Sequence, residues 1–297
     1  MFVSAIFVVY LVNYAIHKII VLYAMEVWIN MINVIGQTSN KKIIDYWAKR
    51  NNFPRFLVIT GKEGSGKSTL VKYITDKMKH YIVYSDTSVE NVREVIKNCY
   101  SVTSPTVYIF LNADKMSAQA KNALLKVTEE PPYLAYFILT ANNMSQLLPT
   151  IKSRCVEMKI EPYSHSELLQ YCQEDFIKYA QCPGDIDNLK QVNVQELETF
   201  CNSLLQYSMN DVVQAVLLCN NIKFKPEDSG FDVKLVLSVM YYILCDNYVC
   251  TCNSNYNSML QYLAESRYKM DNYNITKHNE FIGLIIKFNS LWEGDNR

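Results

Sequence analysis

The residues best suited to chemistry form the segment GKEGSGKST, residues 61–69. It matches the spacing G-x-x-x-x-G-K-[ST], beginning at Gly61 and ending at Ser68. Glycines let backbone N–H groups turn toward one anion, a lysine pairs with the β- and γ-phosphates, and a serine hydroxyl ligates Mg²⁺. The segment therefore predicts a nucleotide site, with Mg²⁺ reached through Ser68. Its predicted residues are Gly61, Gly64, Ser65, Gly66, Lys67, Ser68 and Thr69.

The hydrolytic half of such a site is missing where it is expected. In ATPases with this loop, an apolar strand ends in carboxylates that hold the metal and polarise the attacking water. Here the apolar run 106–111 ends at Leu111, and Asn112 follows. Leucine has no ligand atom and an asparagine amide is not a general base. Asp114 is the nearby replacement, provided that the loop bends back toward the metal. We therefore expect nucleotide binding with little or no hydrolysis.

Strands alternate with helices through the first half of the chain, and this alternation positions the loop. Apolar, β-rich runs predict strands, and apolar residues at helical spacing predict the helices between them. Ser117 is the expected N-cap of the third helix. Such alternation is typical of a parallel sheet between two layers of helices. The predicted strands are 56–60, 81–85, 106–111, 135–141 and 156–160, and the helices are 69–80, 89–100 and 117–129.

Beyond Pro162 the strand pattern fades and the chain is helical in pattern. Residues 164–222 are predicted to be helical, and KFKPEDSG (223–230) is predicted to be a linker. Further helices follow from Phe231. Their apolar run Leu235–Cys245 is too short to cross a bilayer, so we expect a buried helix.

The N-terminal residues 1–24 form an apolar stretch that is interrupted by His17 and Lys18. A His-Lys pair at this depth is costly in a bilayer, and a signal-peptide cleavage site is not clear. Two interpretations stay open. The favoured one is an extension upstream of a translation start at Met25, and the other is a membrane anchor.

Charge and cysteine content exclude some classes of protein. The 29 basic and 29 acidic residues give a formal net charge of zero, which argues against a free-standing polybasic nucleic-acid binder. The nine cysteines show no spacing of the zinc-binding type, so no zinc is expected. Scattered thiols are typical of a reducing compartment. We expect a cytoplasmic protein without a membrane partner.

Two longer segments resemble a known family. NADKMSAQAKNALLKVTEEPP (112–132) and YFILTANNMSQLLPTIKSRC (136–155) closely resemble the AAA+ clamp-loader subunits of bacterial replication, the gamma/tau and delta-prime subunits of DNA polymerase III. VIGQ (34–37) resembles the segment beside the adenine, and SVENVREVI (88–96) resembles the helix before the acid-bearing strand. The resemblance covers about residues 25–162.

This resemblance implies a fold and a domain organisation. The fold class is α/β: a three-layer P-loop AAA+ domain with a parallel sheet, followed by a small helical lid and a helical collar for oligomerisation. The implied bounds are 25–162 for the nucleotide-binding domain, 163–225 for the lid and 226–297 for the collar, after the N-terminal extension 1–24.

The resemblance also implies partners and roles. The family opens a sliding clamp and places it on primed DNA, as a hetero-oligomeric ring with ATP or ADP at the subunit interfaces. Arg154 of the Ser-Arg-Cys box would act in trans, in the site of a neighbouring subunit. Asn142 would contact the γ-phosphate.

Three departures from the family bear on the role of this chain. Residues 76–106 contain only Cys99, so the four-cysteine zinc module is absent from the sequence. The region 201–218 contains no arginine to act as a second sensor. The lost acids, beside a retained Arg154, favour a delta-prime-like subunit, which serves as a rigid stator and arginine donor. An active gamma/tau-like or phage-type ATPase is the alternative.

Overall fold

The computed structural model describes residues 34–225, 227–273 and 275–294. The predictions for residues 1–24 lie outside the described residues. The chain divides into a unit that ends at Ile35 and a unit that begins at Gly36. Every contact reported below lies within the second unit.

Five parallel strands form one sheet in the order β2-β3-β4-β1-β5, which confirms the predicted parallel sheet. β1 lies between β4 and β5, with Phe56 opposite Phe137 and Leu57 opposite Val156. Two strands end one residue earlier than predicted. The bounds are β1 Phe56–Thr60, β2 Tyr81–Ser85, β3 Thr106–Phe110, β4 Ala135–Ala141 and β5 Val156–Lys159.

The three predicted helices of this half are present, two further helices were not predicted, and serine side chains begin two of the predicted ones. Ser88 Oγ accepts a hydrogen bond from the Asn91 N–H at 3.3 Å, and Ser117 Oγ accepts one from the Ala120 N–H at 3.2 Å. The helix after the phosphate loop begins at Lys67, two residues earlier than predicted. The bounds are α1 Thr38–Arg50, α2 Lys67–Met78, α3 Val89–Asn98, α4 Ala118–Glu129 and α5 Pro149–Lys152.

The core of this half lies on the central strands. Every residue of β1 and β3 is buried. The Phe137 ring on β4 stacks between the rings of Phe56 and Tyr108, at centroid distances of 5.6 and 5.5 Å. Aromatic packing of this kind fixes the order of three neighbouring strands, and with it the edge of the sheet where their loops meet.

The second half of the described chain is mainly helical, as predicted. The ends of the predicted linker are paired rather than free, because Ile222–Lys223 (β6) and Phe231–Asp232 (β7) form a short parallel pair. The helices are α6 His165–Tyr171, α7 Pro183–Leu189, α8 Val194–Asn210, α9 Val212–Leu218, α10 Val233–Thr251, α11 Ser254–Asn272 and α12 Lys277–Gly294.

One hydrophobic cluster extends through these helices, from Tyr179 to Phe288. It includes Leu204 on α8 and Met240 on α10, on opposite sides of the predicted lid–collar boundary at 225/226. The two predicted helical domains therefore share a core, and their boundary stays a prediction.

Among the described helices, α10 is the one that is long and apolar enough to cross a membrane, with 19 residues and a mean hydropathy of 1.3. Its residues Val236, Val239 and Met240 are fully buried in the hydrophobic cluster. The prediction of a buried helix over Leu235–Cys245 is therefore confirmed, and the helix extends beyond that run at both ends.

Candidate nucleotide-binding site

The phosphate loop connects β1 to α2, and its glycines are required by its geometry. Gly64 and Gly66 have φ values of +74° and +87°, where a side chain would be strained. A Cβ on Gly61 would lie 2.8 Å from both Ile160 Cβ and Ser65 Oγ. Gly66 is the N-cap of α2 and has no capping side chain, so the helix presents unpaired N–H groups and its positive end at the loop.

Lys67 is held inside the loop by three acceptors. Its Nζ donates hydrogen bonds to Gly61 O at 2.7 Å, Lys62 O at 2.8 Å and Asn142 Oδ1 at 3.0 Å. Burial lowers the pKa of the Lys67 ammonium, and the carboxylate of Asp114 opposes this shift more than that of any other group. All three hydrogens of the ammonium are thus used within the protein, and a bound phosphate would replace at least one of these acceptors.

Asn142, at the end of β4, connects Lys67 to a carboxylate. Its Nδ2 donates to Asp114 Oδ2 at 3.0 Å. Asp114 reaches this position because the loop after β3 turns back, with Asn112 at a φ of +57°. The Asn112 N–H donates to Thr140 Oγ1 on β4 at 2.9 Å, which fixes the turn.

The three side chains at and after the end of β3 have different surroundings. Leu111 is half-buried and Asn112 is exposed, and neither carries a carboxylate. Asp114 lies two hydrogen bonds from Lys67, through Asn142. The backbone therefore bends as a replacement for the lost acids requires, and it brings one carboxylate to the phosphate loop.

The loop offers few ligands for a metal ion. Ser68 is exposed in the first turn of α2 and Thr69 is half-buried. Within the described part of the chain, no group of three or more His, Cys, Asp and Glu side chains has the arrangement of a metal site. This donor set fits Mg²⁺ held mainly by nucleotide phosphates and water, with the Ser68 hydroxyl as the protein ligand.

The helical half holds the phosphate loop by hydrogen bonds to two backbone carbonyls of the loop, and the sequence did not predict these contacts. Tyr163 OH donates to Ser65 O at 2.9 Å, and the Gly184 N–H donates to Gly64 O at 3.0 Å. The approach is so close that a Cβ on Gly184 would lie 2.4 Å from Gly64 Cα. The sequence feature that could have pointed to this contact is the rarity of glycine, because Gly184 is one of only eight glycines in the chain.

Two side-chain pairs add to these backbone contacts. Lys234 Nζ, on α10, lies 2.6 Å from Glu63 Oε2. Lys62 Nζ donates to Gln181 Oε1 at 3.1 Å. Lys62 and Glu63, which occupy unspecified positions of the motif, therefore both contact the helical half.

Gly36 and Gln37, of the VIGQ segment, lie at the end of β5. Gln37 is 3% exposed, and its amide exchanges two 2.9 Å hydrogen bonds with the backbone N–H and C=O of Glu161. A Cβ on Gly36 would lie 3.4 Å from a ring carbon of Tyr163. These two residues therefore lie near the residue that holds Ser65, and the contact of the VIGQ segment with adenine stays a prediction.

A cleft of about 640 Å³ lies between the phosphate loop and the C-terminal helices. Lys62 and Asn142 line one side, and Lys234 and Arg267 line the other. The sequence region 201–218 contains no arginine, and the arginine in this cleft comes instead from α11.

Arg154 is not part of this cleft. It precedes β5, whose first residue Val156 lies beside Leu57 at the start of β1. From Leu57 to Gly61 the strand advances by about 13 Å, at about 3.3 Å per residue, so Arg154 lies at the opposite edge of the sheet from the phosphate loop. Its side chain is 40% exposed, and its Nη2 lies 3.5 Å from Glu129 Oε1. The structure does not bring Arg154 and Lys67 together.

Known proteins resemble the part of the chain that contains the phosphate loop. Residues 49–164 match the model of the family described as DNA polymerase III, delta subunit. The chain is 30% identical over 224 residues to DNA polymerase III subunit gamma of Buchnera aphidicola subsp. Schizaphis graminum, covering 65% of this chain and 60% of that protein. It is 24% identical over 152 residues to the replication factor C small subunit of Aeropyrum pernix, covering 46% of each.

These matches confirm the resemblance to AAA+ clamp-loader subunits. The clamp-loader-like chain spans 60% of the length of the Buchnera relative and 26% of the gamma/tau subunit of Mycoplasma genitalium, to which it is 28% identical over 158 residues. Among solved structures, a DNA polymerase III gamma subunit-related protein of Thermotoga maritima is similar, with a TM-score of 0.45 and 16% identity. That alignment covers 84% of this chain and 99% of the solved one.

Proposed function

We propose that this chain is a delta-prime-like subunit of a clamp loader, which binds ATP or ADP at residues 61–69 and hydrolyses it poorly or not at all. One observation carries the proposal. The phosphate loop is complete and Lys67 is in place, whereas Leu111 and Asn112 put no carboxylate at the end of β3. The site is equipped for binding and lacks the usual groups for activating water.

Binding follows from the charges of the loop. The Lys67 ammonium and the N-terminus of α2 would neutralise the phosphates, and the Asn142 amide would donate to the terminal one. Mg²⁺, held by the phosphates and Ser68, would reduce their repulsion. Among the described residues, hydrogen bonds connect Lys67 to one carboxylate, that of Asp114, through the Asn142 amide. Asn142 already donates to one of the two Asp114 oxygens.

Arg154 would act on a neighbouring subunit. At the far edge of the sheet from its own loop, the guanidinium contacts Thr150 O and Glu129 Oε1 at the surface, and it would exchange these partners to enter another subunit's site in a ring. A planar cation with several donors stabilises charge on a transferring phosphoryl group. The proposed partners are the other clamp-loader subunits, the sliding clamp and, through the complex, primed DNA, in the cytoplasm.

The test uses the purified chain and the complex that it forms with its partner subunits. We expect the chain to bind ATP and ADP, to lose both on Lys67→Ala, and to hydrolyse ATP at the background rate. In the complex, Arg154→Ala should lower ATPase stimulated by primed DNA at least about 100-fold without altering assembly. Normal turnover in that variant would contradict the arginine-donor role.

An active gamma-like ATPase is the second candidate. Two observations favour it: Asp114 is hydrogen-bonded through Asn142 to Lys67, and a relative that is 30% identical over 224 residues is named DNA polymerase III subunit gamma. This candidate predicts ATP hydrolysis by the purified chain that is lost in both Lys67→Ala and Asp114→Asn. Turnover that survives Lys67→Ala would come from another site and would remove this candidate, whereas turnover that survives only Asp114→Asn would exclude Asp114 as the replacement for the lost acids.

A further inference from the structure

The Asn142 amide has a defined orientation, because of the chemistry of its two neighbours. Lys67 Nζ has only donors, so the atom that it contacts at 3.0 Å must be Oδ1. The Asp114 carboxylate has only acceptors, so the atom 3.0 Å from its Oδ2 must be Nδ2. Reversing the amide would place like groups against each other on both sides.

Asp114 is itself held from several directions. Its backbone carbonyl accepts a hydrogen bond from Lys121 Nζ at 2.9 Å, and the same ammonium donates to Gln146 O at 2.9 Å. Asp114 Oδ1 is buried without a hydrogen-bond partner among the described residues. A buried carboxylate oxygen without a protein partner destabilises the fold unless a water or a ligand meets it, so the placement of Asp114 calls for an explanation.

Asn142 also faces the cleft. It lines the cavity of about 640 Å³ together with Lys62, on the side of the phosphate loop. Its Nδ2 carries two hydrogens, of which Asp114 takes one. The second is available to an acceptor that enters from the cleft, while Oδ1 stays turned toward Lys67.

We propose that Asp114 is a positioning residue of the nucleotide site, which holds the Asn142 amide so that its second Nδ2 hydrogen is offered to the terminal phosphate of a nucleoside triphosphate. The inference rests on the proposed nucleotide binding and adds selectivity for the triphosphate. An asparagine amide has two nearly equivalent orientations about its last torsion. Without Asp114, Oδ1 would turn toward the phosphate part of the time and repel it.

The consequence is a preference for ATP over ADP that depends on Asp114 through Asn142. We expect Asp114→Ala to lower the ratio of the ADP to the ATP dissociation constant about tenfold, as the loss of one hydrogen bond to a charged group implies. Asp114→Asn keeps an acceptor without the charge, so it should retain the ratio within about threefold. Asp246→Ala, which changes an exposed carboxylate on α10, is the matched control.

The experiment is a double-mutant cycle with full-length protein, in which ATP and ADP binding are measured by calorimetry. If Asp114 acts through Asn142, Asp114→Ala should have no further effect on the ratio in an Asn142→Ala background. An equal effect on both nucleotides, or a full effect in that background, would overturn the inference and leave nucleotide binding intact. If the unaltered chain binds neither nucleotide, both the inference and the proposed function fail.

Discussion

Lys67 Nζ lies 3.0 Å from Asn142 Oδ1, although 75 positions separate the two residues in the sequence. The contact exists because β4 pairs directly with β1, with Thr60 opposite Ala141, so that the residues after both strands meet at one edge of the sheet. A phosphate at this edge would face a cation from the loop and an amide from the neighbouring strand.

The first prediction concerns the cation of the loop. Lys67→Ala removes three hydrogen bonds and the charge that would pair with the phosphates. We expect affinity for ATP and ADP to fall at least about 100-fold, the equivalent of about 3 kcal/mol. Calorimetric titration measures this. Lys97→Ala, an exposed lysine on α3, should change neither affinity, and an equal loss there would indicate a nonspecific effect of charge.

The second prediction concerns the contact between Gly184 and Gly64. Gly184→Ala places a Cβ 2.4 Å from Gly64 Cα, so the backbone of the loop or of α7 must shift. We expect the free energy of unfolding to fall by about 1–3 kcal/mol and ATP affinity to fall at least about threefold. Urea unfolding and nucleotide titration measure the two effects.

Gly283 provides the matched control for this substitution. It lies in α12, and a Cβ there would meet nothing within 4 Å. Gly283→Ala should therefore raise the free energy of unfolding by roughly 0.5–1 kcal/mol, because alanine favours the helix, and leave ATP affinity unchanged. If Gly184→Ala and Gly283→Ala change the free energy of unfolding and the ATP affinity alike, the close contact between Gly184 and Gly64 is not the cause of the effect.

The third prediction separates the roles of Arg154. Arg154 forms an ion pair with Glu129, and the two side chains are 40% and 54% exposed, respectively. Arg154→Ala should therefore change the free energy of unfolding by less than about 1 kcal/mol. Nucleotide binding by the isolated chain should not change, because Arg154 lies at the other edge of the sheet. ATPase of the assembled complex should be lost. Arg93→Ala, an exposed arginine on α3, should leave all three quantities unaltered.

The fourth prediction uses pH to probe the pair between Glu63 and Lys234. The pKa of Glu63 lies below its ordinary value of 4.5 because the Lys234 ammonium donates a hydrogen bond to it. A carboxylate with a lowered pKa stabilises the fold above its unfolded pKa, and this contribution disappears as the pH falls through the folded value. The pair is partly exposed, so its contribution should stay below about 1 kcal/mol.

We therefore expect Glu63→Gln to be less stable than the unaltered chain at about pH 6, and the difference to be smaller at about pH 3. Urea unfolding at both values measures the difference. Glu94→Gln, an exposed carboxylate on α3, is the control and should show a smaller change with pH. A Glu63→Gln difference that is equally large at low pH would point to a packing effect rather than to the charge.

The elements around the site followed from local patterns. Strand β1 was predicted from an apolar β-rich run and helix α2 from the helical spacing of its apolar residues. Helix α2 begins at Lys67, two residues earlier than predicted. The Ser117 N-cap was predicted from residue type alone. These features depend on interactions within a few residues, so short stretches of sequence carry enough information to predict them.

The position of Asp114 could not be predicted from local patterns. The sequence showed a carboxylate three positions beyond the end of the apolar run, and its usefulness depended on whether the loop bends back. The positive φ of Asn112 and the bond from its N–H to Thr140 on β4 produce that bend. Because Thr140 belongs to a different strand, no pattern around residue 114 contains this information.

Local sequence was thus sufficient for the phosphate loop, the missing acids and the succession of strands and helices. The packing of distant segments placed Asn142 between Lys67 and Asp114, set Gly184 against Gly64 and moved Arg154 to the opposite edge of the sheet. The physical reason is that propensity and periodicity act over one or two turns. Strand order and contacts between the halves of the chain depend on how the buried faces fit together.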